Sequence, residues 1–127
     1  MRLIKFRGKR SDNGEWIEGD FLTIGGFPYI HHQTDNEIGS QTVERDTVGQ
    51  CTALKDVTGK FIYEGDVLQV RDGNEADDVL EVRYVRGVFA FLWGGSLDDE
   101  CCSGTPTHLW AKVIGNIHDN PELIKEI

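Results

Sequence analysis

The stretch from Val48 to Val70, VGQCTALKDVTGKFIYEGDVLQV, constrains the fold of this chain more than any other. It sets a turn-rich Lys55-Asp56-x-x-Gly59-Lys60 before an alternating strand that opens on Glu64-Gly65-Asp66. Glycine permits the left-handed backbone of a tight turn, and a short aspartate side chain accepts hydrogen bonds from turn amides. Gly-Asp leading into an apolar strand is a common opening for a small SH3-like barrel. In that arrangement Tyr63, Val67 and Val70 help fill the interior and Asp66 holds the turn.

The remainder of the chain repeats this grammar. Fifteen glycines and three prolines are spread among short apolar runs, a pattern of strand and turn rather than of long helices. Residues 2 to 7 carry a charge on each face and predict an edge strand, where charge discourages aggregation. Asp12-Asn13-Gly14 follows as a hairpin turn, because Asn and Gly both tolerate positive φ. GEWIEGDFLTI at 14 to 24 echoes GKFIYEGDVLQV at 59 to 70 with one residue fewer, which reads equally as a duplicated hairpin unit or as convergence on good strand-turn chemistry. Residues 33 to 46 read as a polar loop. Val79 to Val85 and Val88 to Trp93 read as strands joined at Arg86-Gly87, and Leu109 to Ile117 as the closing strand. Asp119-Asn120-Pro121-Glu122 has the capping side chain, first-turn proline and acid of a helix start, predicting a short helix over 121–126.

The expected fold is therefore mainly β: small, strongly bent barrels or hairpin sheets, SH3-like in the carboxy-terminal half, with a short carboxy-terminal helix. A chain of 127 residues supports one folding unit, with two β subdomains, 1–46 and 47–127, as its natural subdivision.

Charge narrows the function. The net charge is −9, yet Arg2, Lys5, Arg7, Lys9 and Arg10 give the first ten residues +5, leaving −14 on the rest by subtraction. A basic arm on an acidic body contacts its own body, a neighbouring copy or an external polyanion. The acidic bulk opposes broad nonspecific nucleic-acid binding, which requires a basic face. No apolar run is long enough to span a bilayer as a helix, and the amino terminus lacks the apolar core of a signal peptide. Three cysteines, Cys51, Cys101 and Cys102, form a poor disulfide framework and read as free thiols in a reducing compartment. The expected location is the cytoplasm.

Individual sites are weak. Cys101, Cys102 and His108 with His31 or His32 lack Cys-x-x-Cys spacing, and adjacent cysteines chelate one tetrahedral ion poorly, so no metal is expected. His31 and His32 alternate to opposite faces of a strand. No Gly-x-Ser-x-Gly elbow appears, and Gly25-Gly26 and Gly94-Gly95 lack the following lysine or helix start of a phosphate loop. No catalytic residue or cofactor is expected.

Three segments together resemble the YopX family of bacteriophage and prophage proteins. These are the opening Arg-x-Ile-Lys-Phe-Arg with Trp-Ile-x-Gly-Asp at 16–20; the core from Thr47 to Asp56 running into Gly59 to Val67; and the ending from Val113 to Leu123. The resemblance implies a phage or prophage origin and brings no catalytic residue with it. Its recurring positions here are Gly49, Gln50, Leu54, Lys55, Asp56, Gly59, Tyr63, Glu64, Gly65, Asp66, Gly115 and Asn116. The family core more usually has an aromatic at position 51 and glycine at 53, where this chain has Cys51 and Ala53, which argues against a catalytic role for Cys51.

Turn geometry accounts for most of these positions. The competing reading gathers Gln50, Lys55, Asp56 and Tyr63 into a binding surface. The expected function is a noncatalytic phage accessory protein that binds a host or phage protein and copies of itself. The alternative is a nucleic-acid module using the basic arm with Trp16 or Phe27 for stacking, or a DNA mimic using the acidic loops at 72–78 and 98–100.

Overall fold

A computed structural model describes residues 4–33, 38–71, 78–85, 87–93 and 110–123. The chain forms two compact units, Met1–Ala53 and Leu54–Ile127. The division falls inside a strand rather than after residue 46, because the first residues of that strand complete the amino-terminal sheet.

In the first unit the strands are β1 (Phe6–Lys9), β2 (Trp16–Ile24), β3 (Phe27–Gln33), β4 (Ile38–Thr42) and the start of β5 (Gly49–Lys55), in the order β4-β3-β2-β1-β5. The expected edge strand is thus internal. β1 pairs on one side with β2 and on the other with β5, through Phe6↔Gln50 and Arg7↔Gly49. Its charges are accommodated by cross-strand partners instead of by solvent at an edge. The span read as a loop contains β4 and a 3-10 turn, Arg45–Thr47. The polar β4 sequence Ile-Gly-Ser-Gln-Thr hid a strand whose pairing comes from β3.

The Asp12-Asn13-Gly14 turn is where the sequence places it, but its chemistry differs. Only Gly14 takes a positive φ, 74°. Asn13 instead accepts a hydrogen bond from the Glu15 amide at 2.9 Å. The β2–β3 hairpin closes at Gly25-Gly26, with φ 59° and 86°, the mirror-image turn that suits right-twisted strands.

The two Glu-Gly-Asp copies adopt different backbones. Glu18-Gly19-Asp20 lies within the continuous strand β2, where β2 hands over from β1 to β3. A Cβ on Gly19 would stand 2.0 Å from the His31 carbonyl oxygen, so this glycine is required for close approach. Glu64-Gly65, by contrast, is a turn, with Gly65 at φ 92°.

In the second unit, β6 (Phe61–Tyr63) returns beside the end of β5, and β7 (Asp66–Arg71), β8 (Asp78–Val85), β9 (Val88–Trp93) and β10 (Trp110–Asn116) form an antiparallel sheet in the order β10-β7-β8-β9. Leu68 pairs with Leu80 and Val82 with Phe91. With Ile62, Val70 and Ala111 they form the buried core, flanked by Leu54 and Val113. Each buried Ile, Leu, Val or Phe among them contributes about 1.5–3 kcal/mol. Tyr63, Val67 and Val70 are all buried, but not inside one barrel: alternation along β7 puts Val67 and Val70 on opposite faces, and of the three only Val70 belongs to this core.

The expected barrels are instead open sheets. In the first unit an isolated bridge, Arg10↔Val43, links the residues just past β1 and β4 without extending into a closed ladder. Of the expected helix over 121–126, Pro121–Leu123 forms a 3-10 turn and residues 124–127 lie outside the described set. Leu123 N–H bonds Asn120 O at 3.1 Å, and Asn120 N–H bonds Asn116 O at 2.8 Å.

Candidate functional site

The densest polar construction is the turn after β5. Asp56 is buried, and its Oδ1 accepts from Thr58 N–H at 2.9 Å, Thr58 Oγ1 at 2.6 Å and Lys60 N–H at 3.0 Å. Its Oδ2 accepts from Val113 N–H of β10 at 2.9 Å. Burial alone raises the Asp56 carboxyl, but the hydrogen bonds from Thr58, Val113 and Lys60 outweigh it and hold the pKa below the ordinary value of 3.8. The backbone follows suit: Asp56 N–H donates to Lys60 O at 2.8 Å and Gly59 N–H to Asp56 O at 3.0 Å, with Gly59 at φ 89°. Lys55 is exposed, its Nζ 5.0 Å from the Phe61 ring centroid.

The second motif turn has the same character. Asp66 Oδ2 accepts from Tyr63 N–H at 2.7 Å, closing the turn as expected. Gly65 donates to Val82 O at 2.8 Å and accepts from Ile117 N–H at 2.9 Å, tying the turn to two other segments. Glu64 is half-buried beside it.

Gly115 and Asn116 pin the final turn. Asn116 Oδ1 accepts from His118 and Asp119 amides at 3.0 and 2.9 Å. A Cβ at Gly115 would meet Asn120 Oδ1 at 2.6 Å. Gly49 is buried against Arg7 and Gln50 half-buried against Phe6 in β5, so Gln50, Lys55, Asp56 and Tyr63 are held by different local environments.

Cys51 is buried, and its Sγ accepts from Ala53 N–H at 3.3 Å. Ala53 has φ 69°, the one positive-φ residue other than glycine among those described. The family's usual glycine at this position was the sequence signal for that backbone.

In the first unit the described residues of the basic arm lie on their own sheet. Lys5 Nζ pairs with Glu18 at 2.9 Å, and Arg10 with Asp12 at 2.8 Å. The Arg10 hydrogen bond holds the exposed Asp12 carboxyl below its ordinary range. Arg7 and Lys9 lie 4.7 and 5.6 Å from the Trp16 ring centroid. An open groove of about 600 Å³ runs here, with Lys5, Trp16, Glu18, Asp20, His31 and His32 along it. Sequence reasoning missed this groove, although counting strand register back from the Asn13-Gly14 turn places Arg7 opposite Glu18 and Lys9 opposite Trp16. His31 is exposed, with Nδ1 3.1 Å from Ser40 Oγ, and His32 is buried, in line with the expected alternation. Phe27 is exposed at the β2–β3 tip.

Among the described residues no group of three or more His, Cys, Asp or Glu side chains is placed to hold a metal ion. Cys101, Cys102 and His108 lie outside the described residues, as do residues 72–77 and 98–100 of the acidic loops. No helix of the described residues is long and apolar enough to cross a membrane.

Open antiparallel sheets whose signature aspartates, asparagine and glycines pin their own turns define a small, mainly β protein. The chain belongs to the YopX family: the family model described as YopX protein matches residues 5–125. The SPbeta prophage-derived uncharacterized protein YopX of Bacillus subtilis (strain 168) is 35% identical over 74 residues, 56% of this chain and 55% of that protein. The match thus spans about half the length of that curated relative. The crystal structure of protein EF1440 from Enterococcus faecalis has the same fold at 22% identity, with a TM-score of 0.61 over 98% of this chain and 100% of that one.

Proposed function

We propose that this chain is a noncatalytic prophage-encoded accessory protein that works in the host cytoplasm by binding protein partners, including copies of itself. The observation that carries this reading is the use made of the motif carboxylates. Asp56 and Asp66 bond backbone amides in turns, an employment that stabilises a scaffold and leaves recognition to its surfaces. The prophage derivation of the Bacillus subtilis relative supports the genetic setting.

The ion pairs of Lys5 and Arg10 and the Trp16 contacts of Arg7 and Lys9 weigh against nucleic acid as the partner. Strand phosphates would have to displace contacts already made within the unit. The alternative reading keeps one test: retardation of single-stranded or duplex DNA at low salt would favour it.

Light scattering coupled to size exclusion at high protein concentration tests the principal reading. A discrete oligomer is expected, and a strict monomer removes self-association from the proposal.

A further inference from the structure

The sheet edges are treated unequally. β10 is covered by the motif turn, since Val57 N–H donates to Ala111 O at 2.9 Å and Asp56 takes the Val113 amide. β4 is covered at its end by Ser11, whose N–H donates to Thr42 O at 3.0 Å. Among the described residues β9, Val88-Phe89-Ala90-Phe91-Leu92-Trp93, is the last strand of its sheet, and it carries no charge or proline. Natural proteins ordinarily blunt an edge with one of those devices. Beside it two hydrophobic side chains are exposed: Tyr84 is 52% and Val88 48% exposed, with Tyr84 edge-on to Phe89 at 5.2 Å.

The hydrogen-bond phase of β9 follows from its turn. Val85 pairs with Val88 across a two-residue connection, and such a closing pair is hydrogen-bonded. Antiparallel alternation then directs the amides and carbonyls of Val88, Ala90 and Leu92 toward β8, and those of Phe89 and Phe91 outward. The same rule at Gly25-Gly26 places the Pro28 carbonyl toward β4, where it accepts from Val43 N–H at 3.2 Å.

We propose that β9 is the element through which two copies of this chain associate, pairing antiparallel about a twofold axis at Ala90. This rests on the self-association reading and specifies its surface. The strand is a near palindrome about that residue, aliphatic-Phe-Ala-Phe-aliphatic. Phe89 of one copy falls opposite Phe91 of the other, both with outward-directed backbone groups that bond reciprocally. Ala90 meets Ala90 on the axis, where a small side chain allows the close approach of a pair that is not hydrogen-bonded. The patch is its own complement, as an isologous contact requires. Each chain carries −9, so copies repel, and an uncharged strand is the surface where contact adds least to that repulsion. Lys5 and Arg10 are paired with acids of their own unit, which works against a charge-driven contact through them.

Light scattering on the wild-type chain and on Val88→Lys and Phe89→Pro, at low and high salt, tests this. Lysine restores the usual edge protection, and proline at position 89 removes an outward N–H without costing a bond to β8. A wild-type dimer that holds or tightens as salt screens repulsion is expected, with both variants weakened by about tenfold or more. Amide exchange on the wild type gives a second readout that needs no variant: Phe89 and Phe91 amides protected when concentrated and exposed on dilution, with Ala90 protected in both. A monomeric wild type overturns this proposal together with the self-association reading. An oligomer that salt loosens, that folded variants leave intact, or that leaves Phe89 and Phe91 exchanging freely, overturns the β9 assignment alone.

Discussion

Replacing Ala53 with glycine should stabilise this protein. Ala53 sits in β5 at φ 69°, where an L-residue's Cβ crowds the following carbonyl at about 1–2 kcal/mol. The methyl group is exposed, so its removal sacrifices little burial. Glycine gains freedom in the unfolded chain, which offsets the relief by about 0.4–1 kcal/mol. The difference leaves a net stabilisation of about 0.5–1 kcal/mol, or about 2–4 °C in Tm for a chain of this size. Urea unfolding monitored by tryptophan fluorescence reads it as a higher midpoint at unchanged slope. The hydrogen bond from Ala53 N–H to Cys51 Sγ at 3.3 Å should persist, since it depends on the backbone. Ala53→Val supplies the opposite sign, because a branched Cβ tolerates positive φ least, and should cost more than about 1 kcal/mol. A lower midpoint for Ala53→Gly, or an unchanged one for Ala53→Val, would refute the strained-backbone reasoning.

Four further outcomes follow from the buried aspartate and the two crowded glycines. Asp56→Asn should destabilise by about 2–3 kcal/mol, since an amide nitrogen replaces one acceptor in a carboxylate that bonds four donors; urea midpoints at neutral pH measure it. Because the folded-state pKa of Asp56 is depressed below 3.8, its contribution is complete above the unfolded value and disappears as pH falls through the folded one. The wild type should therefore lose stability on acidification more steeply than Asp56→Asn does. Gly19→Ala should cost about 3 kcal/mol or prevent folding, since the new Cβ meets backbone rather than a movable side chain; thermal unfolding by circular dichroism shows it. Gly115→Ala should cost about 1–3 kcal/mol, the Asn120 and Leu123 side chains having some room to yield.

Legibility in the sequence followed the range of each interaction. The β8–β9 hairpin, the Gly65-Asp66 turn and the closing strand β10 were readable, because two-residue periodicity and turn residues act within a few positions. β4 was not, since Ile38-Gly39-Ser40-Gln41-Thr42 has little strand propensity and owes its conformation to pairing with β3. The echo of Glu-Gly-Asp misled for the same reason: Gly19 answers to the His31 backbone and Gly65 to its own φ, and identical letters carry neither fact. The edge assignment for the first strand failed because a charge on each face has two solutions, exposure or cross-strand partners, and Glu18 and Trp16 provide the second. Ala53 was legible only through the family's preference for glycine there.

The hydrogen bond between Asp56 and Val113 spans 57 residues of sequence, which sets an order of events during synthesis. When the motif turn leaves the ribosome, the donor that occupies Asp56 Oδ2 has not yet been translated, and neither has Ala111, whose carbonyl receives Val57. At about 5–20 residues per second, several seconds pass before those groups emerge. Strands β7 to β9 emerge one after another within that interval, and each lacks the β10 edge of the core until its end, open to misfolding and to chaperones. The most recognisable segment of this chain is thus late to reach its final environment, and its folding is timed by residues made 57 positions after it.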